Sequence, residues 1–440
     1  MDLRGRRRRL AVAVVLQLLC LVASGNVVFK VRHKFAGRLS LGALRDHDAH
    51  RHGRMLSAVD LPLGGNGRPT DAALYFTKIG IGTPSKEYHV QVDTGSDILW
   101  VNCAGCDRCP KKSDLGIKLA LYDVKGSSTG KPVTCDQDFC TSTFNAPSSD
   151  CKVGMLCDYS VTYGDGSSTA GYFVRDYVHL DSVNGDLKTT PMNGSVAFGC
   201  GAKQSGELGT SSEAVDGILG FGQANSSMIS QLASSQKVKK MFSHCLDGTN
   251  GGGIFAIGQV VQPKVRSTPL VQNEAHYNVI MKAIEVGGEV LQLETDIFDT
   301  GSRRGTIIDS GTTLAYLPDE VYNPLLVKVM AQQPNLKTRT VENEFRCFAY
   351  SGNVDDGFPV VTFHFEGSVS LAVYPRDYLF QVNNEWCIGW QNSGLQSKDG
   401  KEITLLGDLV LSNKLVFYDL ENQTIGWAEY NCEYAVPLRF

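Results

Sequence analysis

Apolar and polar positions alternate with a period of two along most of this chain, in short runs. His89-Val90-Gln91-Val92 alternates and then enters the turn Asp93-Thr94-Gly95-Ser96. Leu74 to Gly82, Asp158 to Tyr163, Gly171 to Val174, Gly251 to Gly258, Tyr277 to Val286, Val360 to Phe365 and Trp386 to Trp390 also read as strands, between Gly, Ser, Asn and Asp clusters. Period two sends successive side chains to opposite faces, so runs of this kind are half-buried strands. Helical signals are few. Met228 to Lys240 has helical composition, and Pro318-Asp319-Glu320 opens a helix with Val321, Leu325, Val329 and Met330 on one face. The expectation is a mostly β fold with a few short helices.

The pattern occurs twice. Thr306-Ile307-Ile308 runs into Asp309-Ser310-Gly311-Thr312, as the first strand ran into Asp93. In each half an apolar-apolar-Gly turn follows further on: Ile218-Leu219-Gly220, then Leu405-Leu406-Gly407-Asp408. The same order of parts in both halves reads as a divergent duplication. We therefore expect two homologous β lobes, residues 71–268 and 269–440, with Asp93 and Asp309 facing each other in a cleft between them.

Length and composition permit this. The chain has 440 residues, 42% of them hydrophobic, enough for two full cores. Its net charge of −4 hides an asymmetry. Residues 1–25 carry five Arg against one Asp, and residues 26–70 carry eight Lys or Arg against three Asp, so the remainder is acidic. An acidic body without a basic stripe argues against nucleic acid. Arg4 and Arg6 to Arg9, the apolar run Leu10 to Ala23, and Val22-Ala23-Ser24-Gly25 read as a signal peptide over 1–25, too short for a typical membrane span. Residues 26–70 are basic, contain His33, His47, His50 and His52, and end turn-rich at Leu63-Gly64-Gly65-Asn66-Gly67. They read as a propeptide with a cleavable linker, held to the acidic body partly by charge.

Cysteine usage fits a secreted chain. Of thirteen Cys, Cys20 lies in the leader, and the other twelve suit six disulfides in an oxidising compartment. They are Cys103, Cys106, Cys109, Cys135, Cys140, Cys151, Cys157, Cys200, Cys245, Cys347, Cys387 and Cys432, and spacing alone does not pair them. Cys103-x2-Cys106-x2-Cys109 also suggests a metal knuckle, but a zinc site needs a second close pair, so disulfides are the better reading and no metal is expected. Asn193, Asn225 and Asn422 head N-x-S/T sequons.

Two carboxylates within hydrogen-bond reach can hydrolyse a peptide bond, one ionised to activate water and one protonated to serve the leaving amine. Like charges that close give up their protons in two separated steps. Gly95 and Gly311 let backbone N–H groups approach, and Ser96 or Thr312 can orient a carboxylate. At these residues, and at Tyr163-Gly164-Asp165-Gly166-Ser167, Asp216 to Gly220, Leu405 to Asp408, Val416 to Asp419 and Ile425 to Ala428, the chain resembles the pepsin-like aspartic proteases over about residues 72–432. The Cys-rich insert after Trp100-Val101-Asn102-Cys103, Phe198-Gly199-Cys200 and Phe242 to Leu246 resemble the plant nepenthesin-type subgroup and its aspartic protease-like proteins, several of them GPI-anchored. The resemblance implies a bilobal pepsin-like fold with Asp93 and Asp309 catalytic. Thr94 and Ser310, the latter where many members have Thr, would support the dyad. Tyr163, Gly164 and Asp165 would form a flap over substrate, with Gly95, Gly311 and Thr312 beside the substrate and Trp100 packed beneath the flap. It also implies a Cys347–Cys387 bridge and no cofactor. Glu433 to Phe440 has neither the polar spacer nor the apolar tail of a GPI signal, so an anchored form would be a longer isoform.

The function expected is a secreted, monomeric aspartic endopeptidase of acidic pH, acting on protein or peptide in the extracellular space, cell wall or vacuole, and restrained by its own propeptide. The alternative is an inactive pepsin-fold binding or inhibitor protein, like the plant xylanase inhibitors that lack an intact dyad. Protonation of the four leader histidines would weaken the hold of the basic segment on the body. Acidifying the purified full-length protein should therefore produce N-terminal processing, read by mass spectrometry; a full-length chain below neutral pH would sink the idea.

Overall fold

The computed structural model describes residues 55–69, 74–143, 151–183, 189–260, 265–293, 297–298, 305–341, 345–392 and 403–433. The proposed signal peptide and most of the proposed propeptide lie outside these residues. The chain is mostly β and has the expected pepsin-like bilobal architecture; the longest described helix is Asp319–Met330, with 12 residues. Val321, Leu325 and Val329 are buried as their spacing predicts, together with Tyr322 and Leu326, whereas Met330 is only half-buried. The helix begun at Met228 ends at Ser234, sooner than composition suggests.

Both halves contain one crossing motif. In the first, Lys86–Asp93 runs parallel to Gly217–Gly220, with Asp93 opposite Gly220. Gly217–Gly220 also pairs antiparallel with Leu99–Asp107. The short strand thus lies between the two strands that flank the Asp93 turn. In the second half, Thr306–Ile308 runs parallel to Thr404–Leu406, which pairs antiparallel with Ala315–Leu317. The duplicated order in the sequence is the duplicated pairing in space.

The halves are also joined through the sheet. Met241–Leu246 of the first half pairs antiparallel with Lys414–Asp419 of the second, which pairs in turn with Thr424–Glu429. Among the described residues one sheet of fourteen strands results. Its aromatic seam draws on both halves: Phe242 stacks on Tyr418 at 4.3 Å, Phe221 meets Phe255 at 4.7 Å, and Tyr277 meets Tyr418 at 4.8 Å. Each such pair contributes about 0.5–1.5 kcal/mol beyond simple burial.

Residues 63–67 are not the turn-rich linker that their glycines suggest. Met55–Asn66 is a strand, paired with Gly253–Val260 over most of its length and with Leu74–Ile81 at Gly64–Asn66. Val59, Leu61 and Leu63 are buried and alternate with the less buried Asp60 and Pro62, a period of two that the following glycines obscured. The folded body therefore begins before Asp71. Tyr277 to Val286 likewise splits into Asn278–Val279 and Met281–Val286, which join different sheets.

The six bridges are Cys103–Cys200, Cys106–Cys109, Cys135–Cys151, Cys140–Cys157, Cys245–Cys432 and Cys347–Cys387. All three sulfurs of the candidate metal knuckle are in disulfides. Cys245–Cys432 closes the longest loop, 187 residues, and ties the chain end to the inter-lobe sheet. Replacing both of its cysteines by Ala should lower unfolding free energy by about 3–5 kcal/mol in guanidinium titration; a midpoint within error of the wild type would show that the sheet alone holds this end.

Candidate active site

Each aspartate sits where a buried strand breaks into a turn, and each turn folds its own hydrogen bonds onto the carboxylate. Asp93 Oδ1 accepts from Gly95 N–H at 2.8 Å, and Oδ2 from the Ser96 hydroxyl at 2.5 Å. Asp309 Oδ1 accepts from Gly311 N–H at 2.7 Å, and Oδ2 from the Thr312 hydroxyl at 2.8 Å. The two turns superpose in chemistry as well as in order.

The turns meet face to face. A Cβ on Gly95 would lie 2.5 Å from Asp309 Oδ2, and one on Gly311 would lie 2.0 Å from Asp93 Oδ1. Neither separation is tolerable, so each glycine is the gap into which the opposite carboxylate fits. Thr94 crosses between the halves: its hydroxyl accepts Ser310 N–H at 2.8 Å and lies 3.4 Å from Asp309 Oδ1. The expected support from Ser310 comes only from its backbone. Its buried hydroxyl has no hydrogen-bond partner, because its geometry does not return the Thr94 contact.

Both carboxylates are buried, Asp93 at 6% and Asp309 at 7% exposure. Burial, and then the charge of Asp309, push the Asp93 carboxyl up to about 7. Water solvates an ion better than this site does, and the neighbouring negative charge adds to the penalty.

The hairpin expected to serve as a flap is Asp158–Thr162 paired with Ser168–Val183. Tyr163 N–H donates to Ser167 O at the tip, and Asp165 Oδ1 accepts from Ser167 N–H and its hydroxyl. The Asp165 carboxylate is thus held within the tip, while Gly164 borders open space. Trp100, 2% exposed, donates its indole N–H to Tyr163 Oη at 2.7 Å. Burial, followed by the charge of Asp93, raises the Tyr163 phenol, so this tyrosine is neutral.

Asp408 was legible only as a motif member. It follows Gly407, where the first half has Phe221 after Gly220, and that asymmetry was its signal. It is 2% exposed, with one carboxylate oxygen lacking a partner. Burial, then the charges of Asp309 and Asp93, hold its carboxyl far above the usual range. Of the sequon asparagines, Asn193 and Asn225 are exposed, whereas the Asn422 amide, though exposed, donates to Asp419 Oδ2 at 2.7 Å. Among the described residues no cluster of His, Cys, Asp or Glu is arranged to hold a metal.

Family models described as xylanase inhibitor N-terminal and xylanase inhibitor C-terminal match residues 75–259 and 276–429. Aspartic proteinase 36 of Arabidopsis thaliana is 54% identical over 97% of this chain and 89% of its own length. Aspartic proteinase 39 of the same plant is 51% identical over 98% and 90%. The chain belongs to the pepsin-like aspartic protease family. Aspartic proteinase nepenthesin-2 of Nepenthes gracilis is 28% identical over 81% of this chain and 78% of its own. Crystal structures of edgp and of basic 7S globulin from soybean share the fold, with TM-scores of 0.66 and 0.65 at 21% and 20% identity; they cover 86% of this chain, and 96% and 99% of their own.

A folded-state carboxyl held above its unfolded value binds its proton where the unfolded chain has lost it. Its stabilising contribution is complete below the unfolded value near pH 4 and disappears as pH rises through the folded value. Asp408→Asn mimics the neutral acid and removes that term. Its melting temperature should therefore fall less than that of the wild type between pH 4 and pH 8. Parallel curves for the two proteins would show that Asp408 is ionised in the fold.

Proposed function

We propose that this protein is an aspartic endopeptidase, with Asp93 and Asp309 sharing one proton around an attacking water. The observation that carries this reading is the pair of mirrored turns with glycine gaps, which brings two hydrogen-bonded carboxylates into one buried site. The ionised carboxylate takes a proton from water as its oxygen bonds to the peptide carbon. The protonated carboxylate donates to the carbonyl oxygen. The proton gained from water then passes to the amine as the C–N bond breaks, and the carboxylate that gave up its proton takes one back from a diol hydroxyl as the new carbonyl forms. Tyr163, Gly164 and the rest of the tip cover the substrate, and the Trp100 hydrogen bond sets the height of the tyrosine. Plant relatives named aspartic proteinases at above 50% identity support the same activity.

The xylanase-inhibitor description of the matching models favours a second reading, an inactive binder of another protein. A binder has no need of two intact carboxylate turns, and both are complete here. The leader, the twelve cysteines and exposed Asn193 and Asn225 support entry to the secretory pathway with N-glycosylation, and a basic propeptide that is removed on acidification.

The processed protein should cleave a denatured protein or peptide library at acidic pH. Activity should fall as pH rises through about 7, where Asp93 gives up the shared proton. Asp93→Asn and Asp309→Asn should each lower kcat/KM by at least about 10²–10⁴-fold, the usual worth of one acid or base group. Turnover near the wild-type rate in either variant would exclude the dyad mechanism; no cleavage by the wild type at any pH would favour the binder.

A further inference from the structure

Three strands of the large sheet part and leave a gap. Among the described residues, Met55–Asn66 pairs with Leu74–Ile81 only at Gly64 to Asn66, and with Ser168–Val183 only at Ala58 and Val59. Leu74–Ile81 meets Ser168–Val183 only at Gly80 and Ile81. Between these short ladders, residues 60–62, 77–80 and 179–181 surround a cavity of about 610 Å³, and residues 191–193 line it too. Asn193 heads one of the three sequons.

Strand register puts that sequon on the same face as the cavity's polar side chains. In the ladder between Ser168–Val183 and Thr189–Ser205, His179 is opposite Asn193 and Asp181 is opposite Pro191. Directly opposed residues share a face, and neighbours along a strand alternate between faces. Leu180 is buried, and a Cβ on Gly194 would meet Leu232 Cδ2 at 2.4 Å, so both of these face the core. His179, Asp181 and the exposed Asn193 therefore share the outer face. Asp60 joins them. It stands between Val59 and Leu61, both buried, and Val59 is opposite Ser182 where the strands begin to part. From Thr189–Ser205 across to Met55–Asn66 is two strand spacings, roughly 10 Å. Two linked sugar rings span such a distance.

The cavity also contains an unmet polar atom. Asp60 Oδ1 is buried and has no hydrogen-bond partner. The cations that line the cavity do not supply one: Lys78 Nζ is engaged by Glu87 at 3.1 Å, and Lys237 is exposed. His179 Nε2–H donates to Gly82 O at 2.9 Å, which fixes its ring opposite Asn193. A buried carboxylate oxygen without a donor is costly, and a hydroxyl placed against it recovers that cost.

We propose that this cavity is the seat of an N-linked glycan on Asn193: its first two N-acetylhexosamine rings cross the sheet face over His179, and a sugar hydroxyl donates to Asp60 Oδ1. The inference rests on the secretory reading above, because the glycan is attached there. Attachment forms a bond from Asn193 Nδ2 to the anomeric carbon of the first sugar. The bond from that carbon to a lipid-linked pyrophosphate breaks, the pyrophosphate leaves with the bonding pair, and Nδ2 loses one proton.

The test uses the full chain secreted from a eukaryotic host, with peptide mass spectrometry to read each sequon. Asn193 should carry a glycan. Asp60→Ala should then lower the melting temperature by about 2–4 °C, the scale of one hydrogen bond. In the Asn193→Gln background, which has no glycan, the drop should vanish, because the orphaned oxygen leaves with the side chain. Asp60→Asn keeps one acceptor and should fall between the two. On the folded protein, peptide N-glycosidase should release the Asn193 glycan about three- to tenfold faster from Asp60→Ala than from the wild type. Equal drops in both backgrounds would make Asp60 a structural residue only, and equal release rates would mean a glycan free in solvent. Either result overturns the inference and leaves glycosylation of Asn193 standing. An unmodified Asn193 in the secreted protein overturns both.

Discussion

Two buried carboxylates face each other across a gap that only hydrogen-sized side chains leave open. Gly95 and Gly311 are that gap, each positioned where a Cβ would collide with the opposite aspartate. Burying one bare carboxylate costs several kcal/mol, and a second beside it costs more. Backbone N–H groups and hydroxyls from each turn offset part of this, and retention of one proton removes much of the rest. A site built this way is poised to hold one acid and one base at the same place.

So costly an arrangement needs a stiff frame. Each aspartate turn is held by a short strand threaded between the two strands that flank it, Gly217–Gly220 in one half and Thr404–Leu406 in the other. Met241–Leu246 and Lys414–Asp419 join the halves by backbone pairing, and Phe242 of one strand stacks on Tyr418 of the other. Neither half completes the site alone, because Thr94 of the first reaches Asp309 of the second. The hairpin that carries Tyr163 depends on the same frame through Trp100, whose indole N–H donates to the Tyr163 hydroxyl.

Much of this was legible in the chain. Period-two alternation located most strands, and repetition of a carboxylate turn followed by an apolar-apolar-Gly turn marked both halves and the dyad. The reading failed where local signals competed. The glycines at 64 and 65 masked the strand Met55–Asn66, although Val59, Leu61 and Leu63 alternate ahead of them. Ser310 looked equivalent to Thr94, yet only Thr94 makes the crossing contact, since a hydroxyl's partners depend on which way the opposite turn is offset. Asp408 showed in the chain only as the residue after Gly407, because its burial depends on segments far from it in sequence.

The sequence by itself determined the local elements: which runs extend, which turns carry carboxylates, and that a cysteine-rich insert needs covalent staples. These follow from period, turn chemistry and composition, all of which act over a few neighbouring residues. The tertiary structure alone decided how the ten cysteines other than Cys347 and Cys387 pair, that the two halves share a sheet, and which hydroxyl crosses from one turn to the other. The shared sheet and the crossing hydroxyl join segments more than a hundred residues apart, and in the sheet a displacement of one residue turns every side chain to the other face.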